Sequence, residues 1–215
     1  MNYASVKDAI DRGTAAEVVP GLALPMMREI ASGGATMTAV KHPLGFLCFP
    51  VQRRGGHGVC VHLWTSGVGQ TLTTSQMHAH SWNLTSYMLY GSLRNQHISV
   101  NDEPRSPTHR VFEVRCRGDV DELRATPRLV ISRPEADLGY GAGALYLLPA
   151  GEFHATVAPE GDVATVVLSQ SRPQAADLAL GPVHTPSHTV TRARCDAAET
   201  ARAARLVAER LAAAG

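Results

Sequence analysis

The 215-residue sequence predicts an all-β barrel or sandwich that carries short helices at both ends. From about residue 36 to residue 170 the chain consists of short β-prone runs, and Gly, Pro, Asn or Asp stands between most of them. Many short strands joined by turns are typical of barrels and sandwiches. Over the same range no helical periodicity is long enough to supply the crossover helices of a parallel sheet.

The helical elements are predicted from local patterns at the two ends of the chain. Residues 4–12 and about 21–31 are expected to form two short helices, and the sequence ASGG ends the second. After a Pro-containing connector, an Ala- and Arg-rich segment predicts a third helix, with Asp196 as its N-cap. We therefore divide the chain into an N-terminal helical segment (1–35), a β-barrel (36–170), and a connector with a C-terminal helix (171–215).

Composition restricts the possible partners. Hydrophobic residues make up 44% of the chain, which is enough to bury a core, and the formal charge is +1. This balance gives no electrostatic reason to expect nucleic acid or an anionic membrane surface as a partner. No run approaches the ~18–20 apolar residues that span a bilayer, no secretory signal is evident, and the four cysteines form no CxxC pair. We therefore expect a cytoplasmic protein with reduced cysteines.

Three histidines stand out as candidate metal ligands. His78 and His80 are one residue apart in a β-prone segment, so they point to the same face of a strand, either into the barrel or toward solvent. Pointing inward, they can share one metal ion. His154 follows the turn sequence Pro149-Ala150-Gly151, after which it is expected to begin a strand facing the barrel mouth.

These two segments resemble the paired motifs of the cupin superfamily. The positions that match the first motif are His78, His80 and Gly91, with Gly69 somewhat early. The positions that match the second motif, with every gap intact, are Gly143, Pro149, Gly151 and His154. The resemblance covers roughly residues 60–170. It implies a cupin double-stranded β-helix, a jelly-roll barrel, here with short N-terminal helices and a C-terminal helix. It also implies a homodimer.

Two positions depart from the cupin pattern. Leu84 stands where the motif has a metal-binding glutamate, and Ala158 stands where the second motif has an asparagine. The remaining ligands are three neutral imidazoles, which suit Fe(II), Zn(II), Ni(II) or Cu(II) better than Mg²⁺ or Ca²⁺. Three protein ligands also leave coordination positions open for a substrate, water or O2.

The three-histidine set is similar to that of the thiol dioxygenases and of some diketone-cleaving dioxygenases. In those families, the resemblance implies, the substrate chelates Fe(II) and supplies the anionic donor that the protein lacks. We therefore predict a non-haem Fe(II) dioxygenase that oxidises a small chelating metabolite such as a thiol, an amino acid or a diketone. One alternative is a Zn- or Ni-dependent cupin lyase, isomerase or synthase. A second is a non-enzymatic cupin that binds a small molecule.

Other residues are candidates for the same site. Arg94 is a candidate to meet a substrate carboxylate, because a guanidinium group donates two parallel hydrogen bonds. Tyr146 is a candidate to donate a hydrogen bond to bound oxygen. His62 shares a strand face with Cys60, and it remains open whether His62 or His97 joins the metal ligands.

Overall fold

The computed structural model describes residues 1–69, 71–158, 161–172 and 174–214. The helices are α1 (Tyr3–Asp11), α2 (Ala15–Ala31) and α3 (Ala197–Ala214). The strands are β1 (Val40–His42), β2 (Phe46–Arg54), β3 (His57–Trp64), β4 (His78–Ala79), β5 (Trp82–Tyr90), β6 (Ser92–Asp102), β7 (His109–Arg117), β8 (Val120–Gly141), β9 (Leu145–Leu148), β10 (His154–Val157), β11 (Val163–Ser171), β12 (Asp177–Gly181) and β13 (His188–Thr191).

The strands form two antiparallel sheets. The six-stranded sheet has the order β1-β2-β3-β11-β5-β9, and the seven-stranded sheet has the order β13-β8-β6-β10-β4-β12-β7. The long strand β8 pairs with β7 and β13 through its N-terminal half and with β6 through its C-terminal half. Many neighbours in the sheets are distant in sequence, as in a jelly roll, and the predicted all-β fold with terminal helices is confirmed.

The helices cover the outer face of the six-stranded sheet. The side chains of β3 show that this sheet separates the core beneath the helices from an internal cavity. Those that pack with the helices are Val59, Val61 and Leu63. Those that line an internal cavity are Cys60, His62 and Trp64. Because successive strand residues point to opposite faces, one strand supplies both the core beneath the helices and the cavity wall.

The second helix is longer than the sequence predicts. It begins at Ala15 rather than near residue 21, and it contains Pro20 and Pro25. Proline removes a helical hydrogen bond and disfavours an interior helical position. The buried residues of α2 nevertheless recur at helical spacing through both prolines; they are Ala15, Val19, Ala23, Met27 and Ile30. Burial of this apolar stripe stabilises the helix where local propensity does not.

The segment after residue 170 contains more regular structure than a connector. Strand β12 pairs with β4 and β7, and β13 pairs with β8, so the seven-stranded sheet draws on residues from this segment. Both strands are short, and their stability comes from pairing with distant strands rather than from local sequence. The division of the chain at residues 35 and 170 stays a prediction. No helix in the described ranges combines the length and the apolar character that a membrane span requires.

The C-terminal helix begins with the predicted cap. The backbone N–H of Glu199 donates to Asp196 Oδ1 at 2.7 Å, and the backbone N–H of Asp196 donates to Glu199 Oε2 at 2.9 Å. This reciprocal pair is a capping box. We expect Asp196→Ala to lower the free energy of unfolding by about 1 kcal/mol, measured by urea denaturation. Glu209→Ala, at an exposed position of the same helix, is the control and should change it by less than about 0.5 kcal/mol. Equal losses in the two variants would contradict the assigned cap.

Candidate metal centre

The structure brings His78, His80 and His154 together at one point. His78 lies in β4, His80 follows that strand directly, and His154 begins β10, where it is paired with His78. The ring centroids are 4.7 Å apart for His78 and His80, 4.3 Å for His78 and His154, and 5.1 Å for His80 and His154. One ring nitrogen of each residue lies within 4.8 Å of the other two, a separation that a shared metal ion can bridge. We call these residues the histidine triad.

Backbone carbonyls orient two of the three rings. His78 Nδ1 lies 2.7 Å from the carbonyl oxygen of Gln76, and His154 Nδ1 lies 3.0 Å from that of Glu152. A carbonyl oxygen only accepts hydrogen bonds, so each Nδ1 carries the proton and donates it. The lone pair of Nε2 is then available to a metal, which is the usual arrangement of metal-binding histidines.

The triad is neutral near pH 7. Withdrawal of the rings from water lowers the pKa of His78, lowers that of His80 well below its ordinary value, and lowers that of His154 to about 3. For His80 and His154, the nearby histidines lower the pKa further. Neutral imidazole is the form that binds metals, and three such donors fit a divalent transition metal. The residues therefore fit the metal that the cupin resemblance implies.

No carboxylate belongs to the triad among the described residues. Leu84, at the position of the missing glutamate, is buried in β5 and lines the cavity. Two carboxylates of the described chain do line the cavity, Asp121 and Asp177. Asp177 Oδ1 accepts a hydrogen bond from the backbone N–H of Ser81 at 2.6 Å, and the charge of Asp177 partly opposes the lowering of the His78 pKa. Asp177 lies outside both motifs, and no sequence signal marks it.

Of the two catalytic candidates from the sequence, the structure brings only Tyr146 to the cavity. Tyr146 is buried, and its ring centroid is 4.8 Å from that of Tyr140. Burial raises the pKa of Tyr146 to about 12, although the side chains of Ser86 and Asn95 oppose this shift. The phenol is therefore protonated at neutral pH and is able to donate a hydrogen bond.

Arg94 lies on the outside of the barrel. Its guanidinium group donates to both carboxylate oxygens of Asp137, at 2.9 and 2.6 Å, and its side chain is 59% exposed. The inward position of β6 is taken by its neighbour Asn95, which is fully buried. A register shift between His97 and Ile98 then changes which side chains of β6 face inward farther along the strand. His97 pairs with His154 in the strand register but is not part of the cavity wall, so neither Arg94 nor His97 reaches the triad.

Arg192, unlike Arg94, lies on the cavity wall, and the sequence does not mark it as a site residue. Arg192, directly after β13, donates a hydrogen bond through Nε to Asp121 Oδ2. The side chain of Arg192 is 20% exposed and that of Asp121 is 6% exposed. Burial and then the charge of Arg192 lower the pKa of His42, which also lines the cavity. The cavity therefore combines a neutral histidine triad with a buried ion pair between Arg192 and Asp121.

The cavity has a volume of about 580 Å³ and is walled by both sheets. Its aromatic lining residues include Phe46, Trp64 and Trp82. The ring of Trp82 stacks on that of His80 with centroids 4.2 Å apart and an angle of 28° between the planes. Volumes of this size, mostly apolar with a few polar groups, are typical of sites for small molecules.

A second group of possible metal ligands lines the same cavity. Cys48 on β2 and the pair Cys60 and His62 on β3 place two sulfur atoms and one ring nitrogen within 4.8 Å of one another. Both cysteines are free thiols. A hydrogen bond with Cys48 and then one with His62 lower the pKa of Cys60, whereas the same pairing raises that of Cys48. The sequence shows that Cys60 and His62 share a face, but it does not show Cys48 beside them.

The strand order and the triad define the class of the chain. Two antiparallel sheets enclose a cavity, and the paired strands β4 and β10 bring the histidines of the two motifs to one point on its wall. The chain therefore has a cupin-like all-β fold, of the kind that its motifs predict, with a three-histidine cluster able to hold a metal ion.

Comparison with known proteins shows weak structural likenesses. No protein-family model matches the sequence, and no curated protein matches it. A protein of unknown function with a cupin-like fold from Ralstonia eutropha JMP134 is 12% identical, with 82% of this chain and 81% of that chain covered and a TM-score of 0.36. The polyketide cyclase RemF from Streptomyces resistomycificus is 14% identical, with 70% of this chain and 78% of that chain covered and a TM-score of 0.35. The DMSP lyase DddQ from Ruegeria pomeroyi DSS-3 is 15% identical, with 61% of this chain covered and a TM-score of 0.34, and this chain spans only 50% of its length.

Proposed function

We propose that the chain is a metal-dependent enzyme in which His78, His80 and His154 hold one divalent transition metal, with Fe(II) as the leading candidate. Zn(II), Ni(II) and Cu(II) fit the same donors. The observation that carries this proposal is the convergence of three neutral imidazoles, two of them oriented by backbone carbonyls, with no carboxylate of the described residues in the cluster.

The donor set favours a particular kind of substrate. A bound metal ion would supply Lewis acidity, and iron would also supply redox chemistry with O2. Because the triad carries no negative charge, it leaves the charge of the ion uncompensated and favours a substrate with an anionic donor. A thiolate, an enolate or a carboxylate meets this requirement. The proposed reaction is the O2-dependent oxidation of a small metabolite that chelates through such a group.

Cavity side chains other than the triad have roles in binding this substrate. Trp82 and Phe46 offer flat apolar surface, and Arg192 offers the guanidinium N–H groups other than Nε–H to a second polar group of the substrate. Because Arg192 is already paired with Asp121, it is held in place before the substrate arrives. The Tyr146 hydroxyl donates a hydrogen bond to an oxygen atom of the substrate. Arg94 has no role in this proposal, since it faces solvent.

The proposal is tested by metal analysis followed by oxygen uptake. Protein purified without added metal is analysed for transition metals, then loaded anaerobically with Fe(II) and offered thiols, amino acids and 1,3-diketones in an oxygen electrode cell. Stoichiometric metal and substrate-dependent O2 consumption are the expected results. Turnover without O2 consumption would point to the Zn- or Ni-dependent lyase, isomerase or synthase. Protein that binds no divalent transition metal would contradict the proposal and leave the non-enzymatic alternative.

The Tyr146→Phe variant tests the proposed hydrogen-bond donor. The substitution removes only the hydroxyl group, so we expect kcat to fall by roughly 10²-fold while metal content stays unchanged. Tyr140→Phe is the matched control, because Tyr140 packs against Tyr146 but is not part of the cavity wall. Similar kcat values for the two variants would rule out a role for the Tyr146 hydroxyl.

The proposed partners are a small-molecule substrate and O2. A homodimer is implied by the cupin resemblance alone and stays a prediction, as does a cytoplasmic location. Light scattering coupled to gel filtration measures the oligomeric state, and a monomer at micromolar concentration would contradict the first prediction.

A further inference from the structure

The two cysteines and the histidine of the second cluster are placed by adjacent antiparallel strands. In the register of β2 and β3, Cys48 lies opposite His62 and Pro50 lies opposite Cys60. Cys60 is therefore the diagonal neighbour of Cys48 and is two residues from His62 on the same strand face. Side chains in these positions are close enough to interact across a sheet. The strand register, rather than a flexible loop, sets the relative positions of the three groups.

The surroundings hold these side chains toward the cavity. Cys48 is buried, and Cys60 and His62 are partly exposed to the cavity that they line. The His62 ring is packed against Phe46, with centroids 4.4 Å apart, and meets Trp64 edge-on at 5.9 Å. Aromatic contacts on this side limit the rotation of the imidazole. The two sulfur atoms and the ring nitrogen therefore lie together on the cavity wall.

We propose that Cys48, Cys60 and His62 form a second metal site, for a thiophilic ion of the Zn(II) class, in the cavity that also contains the histidine triad. Two thiolates and one imidazole are ligands that Zn(II) prefers, whereas the triad offers nitrogen donors alone. Three protein ligands would leave one position open for water or for a group in the cavity that all three residues line. The two clusters thus have different metal preferences within one cavity.

The proposed thiol site is independent of the proposed oxidation, because it is defined by different residues and includes two sulfur donors, which the triad lacks. If the triad bound no metal, the second site would remain. If the second site bound none, the triad would be unaffected. A spectroscopic signal that requires sulfur ligation therefore separates the two.

Cobalt substitution supplies that signal. Full-length protein is stripped of metal under a non-thiol reductant and titrated with Co(II), first as the wild type and then in the triple variant His78→Ala, His80→Ala, His154→Ala. We expect intense near-ultraviolet thiolate-to-cobalt charge-transfer absorption in both proteins. Cys60→Ser should abolish this absorption, whereas Cys116→Ser, which removes a thiol outside the cluster, should leave it unchanged. Circular dichroism checks that each variant is folded.

The cobalt absorption of the wild-type protein can by itself contradict the proposal. A variant that fails to fold therefore does not remove the test. Absence of thiolate-to-cobalt absorption at saturating Co(II) would overturn the proposal, as would its survival in folded Cys60→Ser protein. X-ray absorption of the zinc-loaded triple variant gives an independent result. We expect a sulfur shell at about 2.3 Å from zinc with two scatterers. A zinc environment of nitrogen and oxygen alone would contradict the assignment.

Discussion

His80→Ala protein is expected to lose the metal of the histidine triad, and with it all turnover. His80 supplies one of three nitrogen donors, and no carboxylate among the described residues belongs to the cluster to replace it. Loss of a group that merely hydrogen-bonds to a ligand costs roughly 10- to 100-fold in metal affinity, and loss of the ligand itself should cost more. The measurement, made in a Cys60→Ser background that disables the proposed thiol site, is Fe(II) or Zn(II) affinity by competition with a chromophoric chelator, together with metal content after gel filtration.

The matched control for this variant is His97→Ala. His97 lies opposite His154 in the β6–β10 register, so it belongs to the same part of the sheet, but it is not part of the cavity wall. Metal content and affinity should therefore remain at the wild-type level. If His80→Ala retained wild-type affinity, or if both variants lost the metal equally, the triad would not be the binding site.

Gly91→Ala is expected to destabilise the whole barrel. Gly91 joins β5 to β6 with a φ of +78°, a conformation that costs other residues about 1–3 kcal/mol. A Cβ atom at this position would also lie 2.6 Å from the carbonyl oxygen of Asp162 and 2.9 Å from Val163 Cγ2. With both effects we expect the free energy of unfolding to fall by about 3 kcal/mol or more, and Tm to fall by about 6–12 °C, in thermal and urea denaturation.

Gly143→Ala separates the two contributions in Gly91→Ala. Gly143 has a similar φ of +80°, but a Cβ atom there would meet no atom within 4 Å. This control should therefore show only the conformational cost, about 1 kcal/mol. The closing glycine of the first cupin motif is then explained by close approach of the Asp162 backbone. Equal losses in the two variants would show that the close approach has no effect.

Features that depend on near neighbours in the chain were predictable from the sequence. The capping box at Asp196 requires residues three positions apart, and the shared face of His78 and His80 follows from the two-residue period of a strand. The spacing of the second motif likewise places His154 at the start of a strand after its turn. Each of these patterns is complete within about a dozen residues.

Features that depend on which strands pair, and in what register, could not be predicted. Arg94 faces solvent because Asn95 takes the inward position on β6, and one residue of register decides between them. The segment after residue 170 was predicted to be a connector. Neither strand β12 nor the position of Asp177 on the cavity wall was therefore predicted.

By itself, the sequence determined the all-β class, the terminal helices and three histidines within two recognisable motifs, because local periodicity and turn chemistry encode them. Only the tertiary structure decided that Cys48 joins Cys60 and His62, and that Arg192 rather than Arg94 lines the cavity. Arg192 follows β13 and is far in sequence from β2 and β3, which are consecutive strands and carry Cys48, Cys60 and His62. A register shift between Pro50 and Gln52 sets Cys48 opposite His62, and the pairing of β13 with β8 brings Arg192 to the cavity wall. Strand periodicity alone specifies neither.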